Sequence, residues 1–388
     1  MNVEPTAQLT LPPYESVALL LQGGGALGAY QAGVYQGLSE AGITPNWLAG
    51  ISIGALNIAL IAGNPPERRL ERLTEFWETI CQPDVGLRFN PFIEHSLFQL
   101  NDLMRGALGM FGATTALLNG QKGFFRPRFP PPSRNGKGAI QSASYYDVSP
   151  LKETLERLCD FDLINDGPQH VAVGAVNVQS GNFVYFDNRV QRLRAEHFMA
   201  SGALPPAFPA IEIDGEHYWD GGIVSNTPLS YVLASRPLRD TLAFQVDLWA
   251  ARGHVPTNMD EVAERMKEIM YSSRTRLVTD QLHKAQQLRR VLNHMRHDLE
   301  ADKREDAYYM QLADEMGTSA RYNIVHLIYQ HAQHESHYRD FDFSLSSMRA
   351  HWDSGLADIR NTLSDPTRLD MPANEAGFVT HDVHRPEE

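Results

Sequence analysis

One serine stands in a spacing that is typical of a catalytic nucleophile. Residues 50–54, with the sequence GISIG, fit the pattern G-x-S-x-G. In that pattern a serine on a sharp strand-to-helix turn exposes its hydroxyl above a sheet. Gly50 and Gly54 remove side chains that would crowd the turn around Ser52. A serine at a helix start also serves as an N-cap, so the pattern alone leaves two interpretations.

A glycine-rich loop precedes this serine in the chain. Residues 23–28 have the sequence GGGALG, and consecutive glycines let backbone N–H groups converge on a small anion. A serine esterase needs such donors as an oxyanion hole. The same residues satisfy G-x-G-x-x-G, a dinucleotide-binding pattern in which an acidic residue is expected about 20 positions further on. The candidate here is Glu40, but it lies inside a predicted helix rather than at the end of a second strand. A plain tight turn is a third interpretation.

An aspartate further along the chain is a candidate base for the serine. Asp220 precedes Gly221 and Gly222 and follows a predicted hairpin with an Asp214-Gly215 turn, a pair that suits a tight primed turn. An aspartate held by glycines at a strand end can project into a cleft. A simple turn aspartate is the alternative, and the 15 histidines include other conceivable bases.

The apolar pattern around these residues predicts a parallel α/β sheet. Residues 17–21 and 46–51 are short apolar runs typical of buried strands, and each precedes a turn and a helix, over 29–41 and 53–62. Two strand–turn–helix units in succession indicate an α/β domain. Later strands are predicted over 171–178, 183–186, 211–213, 216–219, 242–248 and 322–329, and later helices over 67–80, 258–316 and 344–363.

Taken together, the motifs resemble those of the patatin-like phospholipases, a family of serine lipid acyl hydrolases. The resemblance rests on the loop at 23–28, the serine pattern at 50–54, the Asp-Gly-Gly at 220–222 and a block at 200–209, ASGALPPAFP, before the aspartate hairpin. It extends over roughly residues 15–250. It implies a three-layer α/β/α patatin-like fold with a helical C-terminal extension.

The resemblance also implies roles for individual residues. Ser52 would be the nucleophile and Asp220 the general base, in a dyad without histidine. The N–H groups of Gly23, Gly24 and Gly25 would form the oxyanion hole. The motifs are completed by five further glycines, Gly28, Gly50, Gly54, Gly221 and Gly222. Many family members carry Arg or Lys where this chain has Leu27.

The predicted organisation divides the chain into four parts. We predict an N-terminal tail at 1–14, a catalytic domain at 15–254, a mainly helical extension at 255–370 and a tail at 371–388. Within the catalytic domain, residues 92–138 join an apolar stretch to a basic, proline-rich loop. They are interpreted either as a lid over a lipid entrance or as core helices followed by an exposed loop.

Composition narrows the classes of partner. The chain has 388 residues and a formal net charge of −13, which argues against nucleic-acid binding, since that needs a basic face. Two cysteines are too few for a disulfide framework. Neither an export signal nor a run of about 18 apolar residues is evident. We therefore expect a cytoplasmic protein with, at most, peripheral membrane contact.

Two further patterns are interpreted without a ligand. The histidines at 331, 334 and 337 have metal-like density, but neither a cysteine nor a second spaced acid joins them, so a solvated segment is favoured. The apolar spacing over 261–299 is interpreted as core or as a dimer seam. We expect no metal and no cofactor, and the oligomeric state stays open.

The predicted function is a carboxylic ester hydrolase of the phospholipase A, lysophospholipase or esterase type, with a lipid or acyl ester as substrate and an acyl-serine intermediate. An acyltransferase that discharges the same acyl-serine to an alcohol is the first alternative. A dinucleotide-binding protein using Gly23 to Gly28 is the second. A catalytically silent scaffold whose C-terminal helices bind a partner is the third.

Overall fold

A computed structural model describes residues 9–81, 116–132, 140–273, 275–298, 307–331 and 338–383. The strands in these ranges are β1 (Ser16–Leu21), β2 (Trp47–Ile51), β3 (Arg126–Pro127), β4 (Tyr146–Asp147), β5 (His170–Asn177), β6 (Phe183–Asp187), β7 (Ile211–Ile213), β8 (Glu216–Asp220), β9 (Thr241–Asp247), β10 (Tyr322–Ile328) and β11 (Phe378–Asp382). The helices are α1 (Gly28–Glu40), α2 (Ile53–Ala62), α3 (Arg69–Ile80), α4 (Ser149–Leu158), α5 (Phe161–Asp166), α6 (Ala195–Ser201), α7 (Leu229–Ala234), α8 (Met259–Tyr271), α9 (Thr275–Asp298), α10 (Ala307–Met316) and α11 (Leu345–Leu363).

A mixed sheet forms the centre of the molecule. Its strand order among the described residues is β11-β10-β9-β1-β2-β5-β8-β7, with β6 also paired to β5. The strands from β11 to β5 run parallel, whereas β6, β7 and β8 form antiparallel pairs. The predicted strand–turn–helix units and the Asp214-Gly215 hairpin are confirmed.

Helices cover both faces of this sheet, and the apolar runs explain why. Side chains alternate between the faces along a strand. In β1, Leu19 and Leu21 join a core with α1, α2, α3, α4 and α11, while Ala18 and Leu20 join a second core with α7. Strands buried on both faces need apolar residues at every position. The predicted three-layer α/β architecture with a helical C-terminal region is confirmed.

The registers bring the ends of two strands to one point of the sheet. Ile51, the last residue of β2, pairs with Gly174 of β5. Asp220, the last residue of β8, pairs with the next residue, Ala175. Because β2 and β8 run in opposite directions along β5, their C-terminal ends meet there. Ser52, which follows Ile51, is thereby brought to Asp220.

The C-terminal part of the chain extends the same sheet. Strand β10 pairs in parallel with β9, and helix α11 packs against α1 so closely that a Cβ on Gly33 or Gly355 would collide with the backbone of the other helix. The predicted tail at 371–388 needs a correction, since Phe378–Asp382 forms β11 and pairs with β10. Whether 254 is a domain boundary stays a prediction.

Helix α8 has its apolar side turned to solvent. Met266 and Met270 are 57% and 51% exposed, whereas Glu268 is 4% exposed. The buried carboxylate is satisfied by Arg265 and Arg339. Of the two interpretations of this stretch, core is therefore wrong for Met266 and Met270, and a dimer seam stays a prediction. Ion pairs attach the buried side of α8 to the molecule, and Tyr271 at its end packs against Trp249.

Two predictions fall partly outside the described residues. The predicted lid at 92–138 overlaps the description only at 116–132, and the histidines at 334 and 337 lie outside it. For the part of the chain that is described, no helix combines the length and apolar character needed to cross a membrane.

Candidate active site

The turn between β2 and α2 holds Ser52 in a strained conformation. Its φ of 55° and ψ of −125° lie in a region that residues other than glycine rarely adopt. The Ser52 side chain makes no capping hydrogen bond to α2, so the N-cap interpretation does not describe the turn. A Cβ on Gly54 would collide with the carbonyl of Leu21, which shows how closely this turn crosses the end of β1.

Asp220 is buried next to this serine. Its residue exposure is 2%. Its carboxylate accepts a hydrogen bond from the Gly222 N–H at 2.7 Å and lies beside the Ser52 side chain in the same cleft. Burial raises the pKa of Asp220 to about 7, although the Ser52 side chain and the Gly222 N–H oppose that rise. A carboxylate with such a pKa is matched to proton transfer near neutral pH.

The glycine-rich loop lines the same cleft as the serine and holds two N–H groups without a partner among the described residues. Among the described residues, no hydrogen-bond acceptor is found for the N–H groups of Gly24 and Gly25. The N–H of Gly23 instead donates to the Asn226 side-chain carbonyl at 3.0 Å. This corrects one part of the predicted oxyanion hole, because an N–H that is already bonded within the protein is not free for an oxyanion.

The loop is fixed by side chains that sequence reasoning missed. The Asn226 amide also donates to the Gly23 carbonyl at 3.0 Å. The buried Gln22 side chain accepts from the N–H of Leu248 at 2.7 Å, and the Trp249 indole donates to the Gly23 carbonyl at 2.9 Å. A polar Gln22 directly after an apolar strand was the available sequence signal. Its partners lie more than 200 positions away.

A buried serine supports the turn that carries Ser52. The Ser52 N–H donates to Ser201 Oγ at 3.0 Å, and that hydroxyl donates to the Gly174 carbonyl at 2.6 Å. Ser201 belongs to the block at 200–209 that the sequence singled out. The structure therefore places this block directly behind the candidate nucleophile.

An apolar cleft opens over Ser52 and Asp220. It encloses about 810 Å³ of empty space, part of which is open to solvent. Aromatic and aliphatic side chains dominate its walls; these are Ile53, Leu56, Leu117, Phe124, Phe125, Tyr146, Leu204, Phe208, Trp249, Tyr271, Phe341 and Phe343. No histidine is found among the lining residues that the structure describes. An apolar chain attached to a polar reacting group would fit such a cleft.

One cluster of acids and a histidine has the spacing of metal ligands. Glu264, Glu268 and His331 place ligand atoms within 4.8 Å of one another. Arg339, however, forms ion pairs with both glutamates. The cluster is therefore accounted for as an ion-pair network that attaches helix α8.

The arrangement contains the parts needed for acyl transfer. Ser52 on its strained turn, the buried Asp220 and the glycines at 23–25 all line one cleft. Acyl transfer uses a nucleophile, a base and oxyanion donors.

Comparison with known proteins places the chain in a family. A family model described as patatin-like phospholipase matches residues 19–233, more than half of the chain, and a second, described as patatin phospholipase, matches residues 269–375. No curated protein matches the chain.

Two solved structures show weak similarity. VipD from Legionella pneumophila is 14% identical with a TM-score of 0.34, covering 89% of this chain and 68% of its own. Human GIVD cytosolic phospholipase A2 is 14% identical with a TM-score of 0.30, covering 59% and 42% respectively. The assignment rests on the family models, and the chain belongs to the patatin-like phospholipase family, a family of lipid acyl hydrolases.

Proposed function

We propose that this protein hydrolyses lipid acyl esters through a Ser52–Asp220 dyad. The single observation that supports this most directly is the place of the Ser52 side chain beside the buried Asp220 carboxylate, close enough to lower the pKa of that carboxyl. A serine hydroxyl is a weak nucleophile unless a base removes its proton. Asp220 is the carboxylate that lines the cleft beside Ser52.

The first half of the proposed reaction forms an acyl-serine. Ser52 Oγ attacks the ester carbonyl carbon while Asp220 accepts the hydroxyl proton. The carbonyl oxygen becomes an oxyanion, to which the N–H groups of Gly24 and Gly25 donate. As the intermediate collapses, the carbon–oxygen bond to the leaving group breaks, and Asp220 returns its proton to the departing alkoxide.

The second half regenerates the enzyme. Water attacks the acyl-serine carbonyl while Asp220 accepts a proton from that water. The bond to Ser52 Oγ then breaks, the serine regains its proton from Asp220, and a carboxylic acid leaves. Because the same base serves both halves, no second titrating residue is required.

The cleft supports an ester with an apolar acyl chain as substrate. Phe124, Phe125, Tyr146 and Phe208 form one aromatic wall, with neighbouring ring centroids 4.7 to 6.1 Å apart. Burying methylene groups against such a wall contributes about 0.8 kcal/mol each. We therefore place the acyl chain along this wall and the leaving group towards the open side.

Two substitutions test the dyad. Ser52→Ala and Asp220→Asn should each lower the rate on p-nitrophenyl butyrate by at least about 1,000-fold. Ser364→Ala and Asp162→Asn, both on exposed residues, are the matched controls and should keep the wild-type rate. A wild-type rate in either dyad variant would overturn the proposal.

Covalent labelling gives an independent readout. A fluorophosphonate probe should modify Ser52 in the wild-type chain and leave Ser52→Ala unlabelled, with the site mapped by mass spectrometry. Product analysis with added glycerol then separates hydrolysis from acyl transfer. Free fatty acid as the dominant product supports the proposed hydrolase, whereas acylglycerol as the dominant product would identify an acyltransferase.

A further inference from the structure

The C-terminal part of the chain contacts the glycine-rich loop at residues 23–28, which we call the oxyanion loop in accordance with its proposed role. A 3₁₀ turn at Arg339–Phe341 lies against the 3₁₀ turn at Gly25–Leu27. A Cβ built on Gly25 would collide with the carbonyl oxygen of Asp340, so the two backbones pass in direct contact. Gly25 also has a φ of +58°, a conformation that glycine adopts without strain.

An ion pair holds Asp340 in this place. The Lys267 ammonium lies 2.7 and 2.9 Å from the two carboxylate oxygens of Asp340, and it also lies over the Phe341 ring at 4.9 Å from the centroid. Only 22% of the Lys267 side chain and 12% of the Asp340 side chain are exposed. Water therefore screens this pair less than it screens an ordinary surface pair.

Helix α8, which carries Lys267, binds the turn at Arg339–Phe341 at a second point. Arg339, whose side chain is 3% exposed, forms ion pairs with Glu264 and Glu268 of α8. Helix α8 thus binds two successive residues of the turn, through carboxylates on one side and an ammonium on the other. The position of the Asp340 carbonyl against Gly25 is thereby set by α8.

The oxyanion loop cannot hold itself in place. Glycines 23, 24 and 25 have no side chains to pack, so their N–H directions depend on neighbouring groups. Asn226 fixes the Gly23 end by two hydrogen bonds, and the Asp340 backbone blocks the Gly25 end. Oxyanion donors must hold their aim to within about 0.5 Å to be effective.

We propose that Lys267 and Asp340 are positioning residues for the oxyanion loop, so that the segment after residue 254 is a working part of the active site. This inference rests on the function proposed above. The described contacts of Lys267 are with Asp340 and the Phe341 ring, and it acts through the Asp340 backbone on Gly25. Loss of the pair should misalign the Gly25 N–H with the developing oxyanion while leaving the acyl-binding wall of the cleft intact.

A substitution at Lys267 tests the inference. Lys267→Met keeps the length of the side chain and removes its charge, and it should lower kcat on p-nitrophenyl butyrate by about 10- to 100-fold with KM within about threefold of wild type. Lys267→Arg restores a cation and should recover most of kcat. Asp340→Asn, nearly equal in volume, should lower kcat in the same direction.

A matched control comes from another ion pair between the two parts of the chain. Arg360 of α11 binds Glu40 of α1 at 2.7 Å, and neither residue lines the cleft. Arg360→Met should keep the wild-type kcat. If Lys267 had only a structural role, Lys267→Met and Arg360→Met would both lose thermal stability, and neither would show a selective loss of kcat.

The outcomes separate this inference from the proposed function. Wild-type kcat in folded Lys267→Met, with Ser52→Ala inactive, would overturn the positioning role and leave the dyad intact. Activity in Ser52→Ala would overturn the dyad itself. If Lys267→Met fails to fold, Asp340→Asn and Lys267→Arg decide, since a folded Asp340→Asn chain with wild-type kcat would equally overturn the inference.

Discussion

The backbone nitrogen of Ser52 and the hydroxyl of Ser201 are joined by a hydrogen bond of 3.0 Å. The same hydroxyl donates to the Gly174 carbonyl. Gly174 in turn pairs with Ile51, the residue before Ser52. Ser201 therefore ties the strained serine turn to the adjacent strand. A strained conformation persists only where the surrounding structure holds it.

Ser201→Ala should weaken catalysis by relaxing this turn. We expect kcat on p-nitrophenyl butyrate to fall by about tenfold or more, since a buried donor and a buried acceptor both lose their partner. Steady-state kinetics beside Ser364→Ala measures the effect. An unchanged kcat in Ser201→Ala would show that the turn keeps its conformation without this bond.

The activity should depend on the ionisation of Asp220. Burial raises its pKa to about 7, and only the carboxylate form accepts the Ser52 proton. The value of kcat/KM should therefore be constant above pH 8 and fall about tenfold per pH unit well below 7, reaching about 1% at pH 5. Measuring initial rates from pH 5 to 9, with recovery checked at pH 8, tests this. A flat profile down to pH 5 would contradict Asp220 as the base.

The same carboxylate should lower stability at alkaline pH. Because the folded-state pKa of Asp220, about 7, lies above its ordinary value of 3.8, its favourable contribution is complete below pH 3.8. That contribution is lost as the pH rises through 7. Asp220→Asn stays neutral, so its melting temperature should exceed that of wild type by several degrees at pH 8, and by less at pH 5.

Thermal unfolding at the two pH values measures this difference. Asp162→Asn, on an exposed carboxylate, is the control and should shift the melting temperature little at either pH. If the Asp220→Asn chain were less stable than wild type at pH 8, the charged carboxylate would not destabilise the folded protein, which would contradict this prediction.

A methyl group at Gly25 should disrupt the oxyanion loop. Alanine there would collide with the Asp340 carbonyl and would have to hold a φ of +58°. We expect Gly25→Ala to lose at least about 100-fold in kcat, the scale of removing one oxyanion donor. Gly181→Ala is a matched control, because Gly181 has a φ of +70° with nothing within 4 Å of a built Cβ. Equal activities of the two variants would contradict the special role of Gly25.

The local parts of the site could be predicted from the sequence. Ser52 and Asp220 stand in short motifs next to strand and helix patterns, and those motifs and patterns span only a few residues. The structure brings both residues together, as the strand registers at Gly174 and Ala175 show. Their catalytic roles remain the proposal made above.

The supporting residues could not be predicted in this way. Asn226 and Asp340 act as single polar groups on partners far away in the chain, so no local pattern marks them. The block at 200–209 marked Ser201 but did not indicate its hydrogen bond to Ser52. The orientation of helix α8 was predicted incorrectly for another reason. Its apolar spacing predicts that the apolar face is buried, but the charged face is the buried one, and it binds Arg339. Strand β11 was missed because it is short and carries polar residues, such as Thr380 and Asp382.

The place of β1 in the sheet has a consequence for the newly made chain. Strand β1 is translated long before its neighbour β9, which follows the serine turn and the aspartate hairpin in the chain. Strand β10, the turn at Arg339–Phe341 and helix α11 follow later still. A nascent chain therefore carries both members of the proposed dyad before it carries the groups that flank the glycine loop. Competence for hydrolysis would then begin only after the turn at Arg339–Phe341 has been translated.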